Sequence, residues 1–573
     1  VTSALIDLLR SDLAAANFSV PALTGLWGIE ADAALRRNQR VPALRALEGL
    51  RETLGHADPC ATLARLFVLG LPVDRADLDA ALPVLGAAGA EELGLVASVV
   101  AFLEPHAAGA VRPLLELRPY SFVDAHGAGS WWILSDLGEL ALGHPLGESH
   151  VLGVGGASLT LSGLLIPTSV TSALDLGTGC GIQAMHASRH ADRVVATDIS
   201  ARALELAALN AQLNKIGNIE FRLGSLFEPV AGERFDHIIS NPPFVITPRV
   251  PGVPAYEYRD GGMVGDALVE AVVRGAADHL TPGGVAQLLG NWEYHAGQDA
   301  FERLAGWLDA PVSAPASVLM SPDEFDGDVA RNTPNSTSAT PLGAKSPSNS
   351  FAAGAGGAGA TAADTISLDA WIIEREVQAP ALYAETWIRD GGTRADTADF
   401  DRLSGAWLDD FEARGVSQVG FGYMLLRRPA AGTPTLRRLE RVPGALGHNP
   451  GGMGSHLAAC LAAHDWQAAT DDSRLARARL AVASDVTEER HYWPGQEDPT
   501  LMTLHQGTGF GRSIPLDTGL AALVGASDGD LDVGSIVAAL AQLLAVDESE
   551  LAADLLPRVR ELLVDGFLQH PLD

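Results

Sequence analysis

The residues best suited to chemistry form two short runs, and the first is Ser240-Asn241-Pro242-Pro243-Phe244, which closes an apolar stretch. An amide or exocyclic amino nitrogen shares its lone pair with a π-system. It is a poor nucleophile until its two hydrogens are held in a geometry that favours pyramidalisation. The side-chain oxygen of Asn241 and the carbonyl of Pro242 are suited to accept one hydrogen each. The ring of Phe244 is suited to stack on the planar group, an interaction worth about 1–3 kcal/mol for a base. Pro242 and Pro243 fix φ and stiffen the turn. That suits a site whose catalysis is mostly positioning, worth up to about 7–11 kcal/mol in favourable cases. No strong general base is required, and His237, four residues earlier, reads as strand packing.

The second run is Leu174-Asp175-Leu176-Gly177-Thr178-Gly179-Cys180-Gly181, a short strand entering a turn with glycine at every second position. A dinucleotide fold spaces its glycines G-x-G-x-x-G and sets pyrophosphate on the helix N-terminus. Here a carboxylate, Asp175, ends the strand, which suits a cationic amino-acid moiety. The next strand, Arg193 to Asp198, ends in a second acid 23 residues later. The rim of an open α/β sheet presents such an acid to a ribose diol. Cys180 reads as a small packing residue of the turn.

The surrounding elements follow from periodicity. Ala201 to Asn214 has apolar residues at three- and four-residue spacing and reads as the crossover helix to a strand at Ile219–Leu223. Gly224-Ser225 follows that strand, and Phe235–Ser240 forms the fourth. Val285–Leu289 reads as a buried fifth strand, Asp299–Leu308 as its helix, and 368–377 and 416–426 as the last two strands, with helices near 381–388 and 400–414 between them.

Asp-Leu-Gly-Thr-Gly-Cys-Gly, the Asp198 strand end and Asn-Pro-Pro-Phe together resemble the class I methyltransferases that modify amino groups conjugated to a π-system. Asn241 to Pro248 and Tyr258-Arg-Asp-Gly-Gly-Met-Val-Gly-Asp266 are similar to the release-factor glutamine methyltransferase family, within a wider group that includes small-domain ribosomal RNA methyltransferases. The resemblance covers roughly residues 150 to 300. It implies a Rossmann-like, seven-stranded class I sheet and S-adenosylmethionine as cosubstrate. It also implies a catalytic set of Asn241, Pro242 and Phe244, and a cosubstrate set of Asp175, Gly177, Gly179, Gly181, Asp198, Ser225 and Asn241. Phe244 stands where the release-factor family usually has tyrosine, and Ser225 where an acid often touches the adenine.

The 573 residues are too many for one core. The expected parts are a helical N-terminal domain (1–105), a strand-rich bridge (106–149), the methyltransferase domain (150–430) and an α+β C-terminal domain (431–573). Both flanks are mostly helical, with winged-helix-like features. Residues 311–365 are rich in Ser, Thr, Pro, Ala and Gly and are expected to be a disordered insertion. The net charge is −32, and lysine occurs only at Lys215 and Lys345. With no basic block, tight binding through phosphate neutralisation is disfavoured. The three cysteines stand in no metal-binding spacing and imply a reducing compartment. No apolar run reaches the length of a membrane span, so a cytoplasmic protein with no metal is expected.

Four functions remain open to the sequence. The first is methylation of a protein glutamine amide, with the flanks recruiting substrate. The second is methylation of RNA or DNA at the 2-amino nitrogen of guanine or the 6-amino nitrogen of adenine, which requires a basic groove beside Asn241. The third is a non-catalytic binding protein on the same fold. The fourth is methylation of a small molecule in a pocket enclosed by the flanks.

Overall fold

From Val170 onward, short apolar runs alternate with amphipathic helices, the pattern of a parallel sheet covered on both faces. The computed structural model describes residues 2–99, 109–142, 146–147, 149–254, 257–309 and 367–570. The expected insertion at 311–365 lies outside them. The strands are β1 (Val170–Leu176), β2 (Ala191–Asp198), β3 (Ile219–Leu223), β4 (Phe235–Ser240), β5 (Leu280–His295), β6 (Asp369–Gln378), β7 (Val416–Arg427) and β8 (Arg437–Arg441). They form one sheet in the order β8-β6-β7-β5-β4-β1-β2-β3. Strands β1 to β5 are mutually parallel, β7 inserts antiparallel between β5 and β6, and β8 lies parallel to β6. The chain leaves β1 toward β2 and β3, then returns to the other side of β1 for β4. The crevice at the carboxyl ends of β1 and β4 is therefore the place where ligands bind in such sheets.

Seven of these strands match the expectation; the eighth corrects it. Arg437-Arg438-Leu439-Glu440-Arg441 has no apolar alternation, so hydropathy does not reveal it as a strand. It is held by polar contacts instead. The Trp371 indole N–H donates to Glu440 at 2.6 Å, and Arg512 and Arg438 pair with Glu440 at 2.7 and 3.0 Å.

The helices are α1 (Gly156–Leu164), α2 (Ile182–Ala187), α3 (Ala201–Leu213), α4 (Ala267–His279), α5 (Ala300–Asp309), α6 (Pro380–Asp390), α7 (Ala398–Ala413) and α8 (Gly454–Ala468). Leu161 and Leu164 of α1 share a core with β1, β2, Trp371 and Leu457 of α8, so the C-terminal part packs directly on the sheet. The remaining C-terminal residues build a separate core from Val533–Leu544, Glu548–Val564 and a three-stranded sheet that includes Leu568–Gln569.

The N-terminal flank is helical, with a small sheet centred on Ala110–Pro113. Its second helix, Val20–Leu35, passes a kink at Gly28 (φ +81°). The bridge is a hairpin, Leu115–Asp124 paired with Gly127–Asp136. Its edge is met by a helix rather than a strand. Asn210 of α3 and Asn214, its C-cap one turn later, act as surrogate peptide groups. Leu134 N–H donates to Asn210 Oδ1 (2.7 Å) and Asn210 Nδ2 returns a bond to Leu134 O (2.9 Å). Asn214 makes the same pair with Trp132, at 2.9 and 2.8 Å. Asn210 Nδ2 also reaches Cys180 O in the glycine turn at 2.8 Å.

Candidate active site

The glycine turn joins β1 to α2 and is tied to the neighbouring strand. Gly177 N–H and Thr178 N–H both donate to Thr197 O, at 3.0 and 2.9 Å. Gly177 and Gly179 have φ of +74° and +55°, which a side chain rarely adopts, and a Cβ on either would meet nothing within 4 Å. These two glycines leave open space above the turn. Gly181 differs, because a Cβ there would stand 3.0 Å from Ala207 Cβ. The three glycines thus divide into two that clear space and one that also lets the turn pack against α3.

Asp175 faces inward with no exposed surface. Its Oδ2 accepts from Thr178 Oγ1 (2.6 Å) and from Ala184 N–H (2.8 Å), bracing the turn against the start of α2. Its Oδ1 is buried without a hydrogen-bond partner. Burial raises this carboxyl from the usual range to about 7, against the lowering effect of those two hydrogen bonds. Asp198 is only partly buried at the end of β2; burial raises its pKa too, while Ser200 and Gly179 N–H bonds pull the other way. Gly179 N–H reaches its Oδ2 and Ser200 N–H its Oδ1, both at 2.9 Å. Ser225 lies just past β3, partly exposed, with its carbonyl accepting from Glu228 N–H at 3.0 Å.

Asn241 leaves β4 on the same rim. Ser240 Oγ donates to Leu176 O (2.9 Å), locking the ends of β4 and β1 together. Asn241 Oδ1 is buried and has no hydrogen-bond partner among the described residues, Pro242 is buried, and Phe244 is partly exposed. The segment that follows is held from far along the chain. Tyr383 of α6 accepts Ile246 N–H at 3.0 Å and Asn291 Nδ2 at 2.5 Å through one buried phenol oxygen. Val245 N–H donates to Arg259 O at 2.9 Å. Val245 and Ile246 pack on Tyr383, Trp407 and Phe411. The acids of the Asp-Gly-Gly stretch serve this scaffold: Arg249 pairs with Asp260 at 2.6 Å, and Arg303 with Asp266 at 2.7 Å.

His237 is a buried structural group, as its place in the strand implies. Its Nε2 is 3.0 Å from Gln287 Oε1, so Nε2 carries the proton and Nδ1 accepts from His190 Nε2, also at 3.0 Å. Burial drives its pKa down to about 3, so at neutral pH the ring is uncharged and keeps only the Nε2 proton. Tyr383, Asn291 and Asn210 were missed by motif reasoning. A tyrosine in an amphipathic helix reads as core, and only its non-local partners reveal its part in the site. Asn210 carries a weak signal, an amide on the inward face of an otherwise apolar helix.

Residues 155–305 match the model of the methyltransferase small domain, and two families of unknown function match residues 15–107 and 458–570. The chain is similar to a release factor glutamine methyltransferase of Xylella fastidiosa, 37% identical over 142 residues, which are 23% of this chain and 51% of that protein. It is equally similar to a ribosomal protein uL3 glutamine methyltransferase of Bradyrhizobium diazoefficiens, 37% identical over 147 residues, 24% of this chain and 45% of that one. The chain thus spans about half the length of the curated relatives it matches. Among solved structures, a methyltransferase from Pyrococcus furiosus is 24% identical over 26% of this chain and 66% of that one, with a TM-score of 0.19. Glycine turn, paired strand-end acids and Asn-Pro-Pro-Phe all fall inside residues 155–305, the segment that matches the methyltransferase small domain, between two segments that match other families.

Proposed function

We propose that this protein methylates the side-chain amide nitrogen of a glutamine in a protein, with S-adenosylmethionine as the methyl donor. The observation that carries the reading is Asn241 Oδ1, a buried acceptor without a donor, beside the partly exposed ring of Phe244. Such an orphan costs about 1–3 kcal/mol, and an incoming N–H relieves it. The Pro242 carbonyl is suited to take the second hydrogen. Hydrogen bonds from the amide strengthen as its nitrogen gains positive charge, so the two acceptors favour the transition state over the ground state.

The crevice fits the donor's chemistry. Asp198 uses one backbone N–H on each oxygen and keeps lone pairs for a ribose diol. Gly177 and Gly179 leave room for close approach. Asp175 offers a buried, unpartnered oxygen whose ionisation a cationic amino group stabilises, and Ser225 stands at the rim for the base. When bound, S-adenosylmethionine supplies an electrophilic methyl group on its sulfonium.

Protein is preferred over RNA on charge. The arginines of the acceptor loop and its neighbours are engaged: Arg249 with Asp260, Arg259 with Trp387 O, and Arg402 with Gly252 O. The names of the similar proteins point the same way, to glutamine in a release factor or in ribosomal protein uL3. We place the activity in the cytoplasm, where three buried free cysteines stay reduced. Among the described residues no helix is long and apolar enough to cross a membrane.

The test offers radiolabelled S-adenosylmethionine with a purified bacterial release factor, ribosomal protein uL3 and total ribosomal RNA, using Asn241→Ala as control. Label in protein, absent with the variant, supports the reading. Label only in RNA replaces it, and binding of the donor with no transfer to any acceptor leaves the non-catalytic alternative.

A further inference from the structure

Strands β5 and β7 run on past the end of β4. The last β4–β5 pair is Ser240 with Leu288, whereas β5 continues to His295 and pairs Asn291 with Phe421 of β7. Phe421 therefore stands three residues, roughly 10 Å, beyond the rim from which Asn241 departs. There its ring meets Phe244, with centroids 5.6 Å apart and planes inclined at 48°. Both rings are partly exposed.

The backbone at Phe421 is unusually constrained. A Cβ on Gly420 would lie 2.2 Å from Trp292 Nε1, and one on Gly422 would lie 2.1 Å from Ile373 O. The glycines on either side let Trp292 and Glu374 close against the strand, where Trp292 Nε1 donates to Glu374 at 2.9 Å. On the facing strand the register shifts between Glu374 and Glu376, a bulge directly opposite Phe421. Bulges re-aim side chains and recur beside active sites. One face of β7 is thus clamped, and the other carries Phe421, whose ring meets Phe244 and, edge-on, Tyr423.

We propose that Phe421 is a specificity-determining residue of the acceptor slot, the second half of an aromatic ledge that begins at Phe244. This rests on the proposed amide methylation. At 5.6 Å the two rings are already in mutual contact, so nothing slides between them and a substrate lies across both. With the planar amide on Phe244 and its nitrogen at Asn241, the aliphatic stem runs outward over Phe421. A stem of two methylenes, as in glutamine, spans to the second ring; the single methylene of asparagine falls short. The ledge therefore selects a planar amide on a two-carbon stem.

The experiment measures kcat and KM with the purified release factor and uL3, together with donor affinity by calorimetry, for wild type, Phe421→Ala and Phe421→Leu. The expected result for Phe421→Ala is an acceptor KM raised about tenfold, kcat within threefold and unchanged donor affinity, with Phe421→Leu recovering most of the loss. Replacing the acceptor glutamine by asparagine should penalise wild type far more than Phe421→Ala. Protein label with an unchanged KM, or a loss confined to kcat, overturns the inference and leaves the amide reading standing. Label confined to RNA overturns both.

Discussion

The two halves of the crevice are built in opposite ways. Most of what we assign to the donor side, from β1 through the glycine turn to Asp198, lies within about thirty residues of chain and is joined by short-range bonds: Thr178 to Asp175, Gly179 to Asp198 and Ser200 to Asp198. The acceptor side is assembled at long range. Tyr383 reaches Ile246 across 137 residues of sequence, and Phe421 meets Phe244 from a strand that comes later still. The donor is constant chemistry and the acceptor is what distinguishes one methyltransferase from another. A local motif serves the first, while a site made from separated elements lets the second change without disturbing it.

If the halves are as separable as this, substitutions should damage one and spare the other. The largest effect is expected from Asn241→Ala, with turnover lowered about 10²–10³-fold, the scale of losing one preorganised hydrogen-bond partner. Donor affinity by calorimetry should fall far less, even though the resemblance also counts Asn241 among the cosubstrate residues. Equal loss of both would mean the halves are not separable. Next comes Asp198→Ala, where loss of hydrogen bonds to a charged group, about 1.5–3 kcal/mol, should weaken donor binding roughly 10–150-fold and leave acceptor KM alone. Tyr383→Phe should be milder. It leaves Ile246 N–H and Asn291 Nδ2 without their buried acceptor and should slow turnover several-fold, lower Tm and keep donor affinity; a shift in donor affinity would show coupling across the crevice.

The smallest effect is one of pH. The folded Asp175 has its pKa raised to about 7, above its ordinary value of 3.8. Between those values the folded state holds a proton that the unfolded state has lost, so this group's contribution to stability falls as pH rises through the window. Asp175→Asn keeps an oxygen for Thr178 and Ala184 and removes the titration. In the absence of donor, thermal denaturation from pH 4 to 8 should show a steeper fall for wild type, by up to about 1.4 kcal/mol per pH unit. Parallel curves would mean that Asp175 is ionised throughout.

The same asymmetry decides how much was legible beforehand. Strands β1 to β7 and the motif residues could be read because each carries its own pattern: an apolar run, a glycine turn, an acid at a strand end. β8 could not, since its five residues are mostly charged and its stability comes from partners such as Trp371 and Arg512. Asp175 was placed in the right turn, but its inward orientation depends on Thr178 and Ala184. That Gly181 also packs against Ala207 of the crossover helix could not be read from the glycine spacing. Phe421 between two glycines gave no hint of its role, because the clamp behind it is made by Trp292 and Glu374, far away in sequence.

The paired amides of Asn210 and Asn214 bear on where this protein can be cut. Family boundaries suggest that the catalytic part could be excised just before residue 150. Severing there would remove Trp132 and Leu134, whose peptide groups satisfy both asparagines, and would strip one wall from the helix that steadies the glycine turn through Cys180. Two amides would be left facing a hydrophobic scar. The excised piece should be aggregation-prone and poor at retaining its donor, and keeping only 109–142 attached would not rescue it, because the N-terminal helices share one core with the hairpin and with Leu206 and Leu213 of the crossover helix. For this molecule the unit of inheritance and the unit of folding do not coincide.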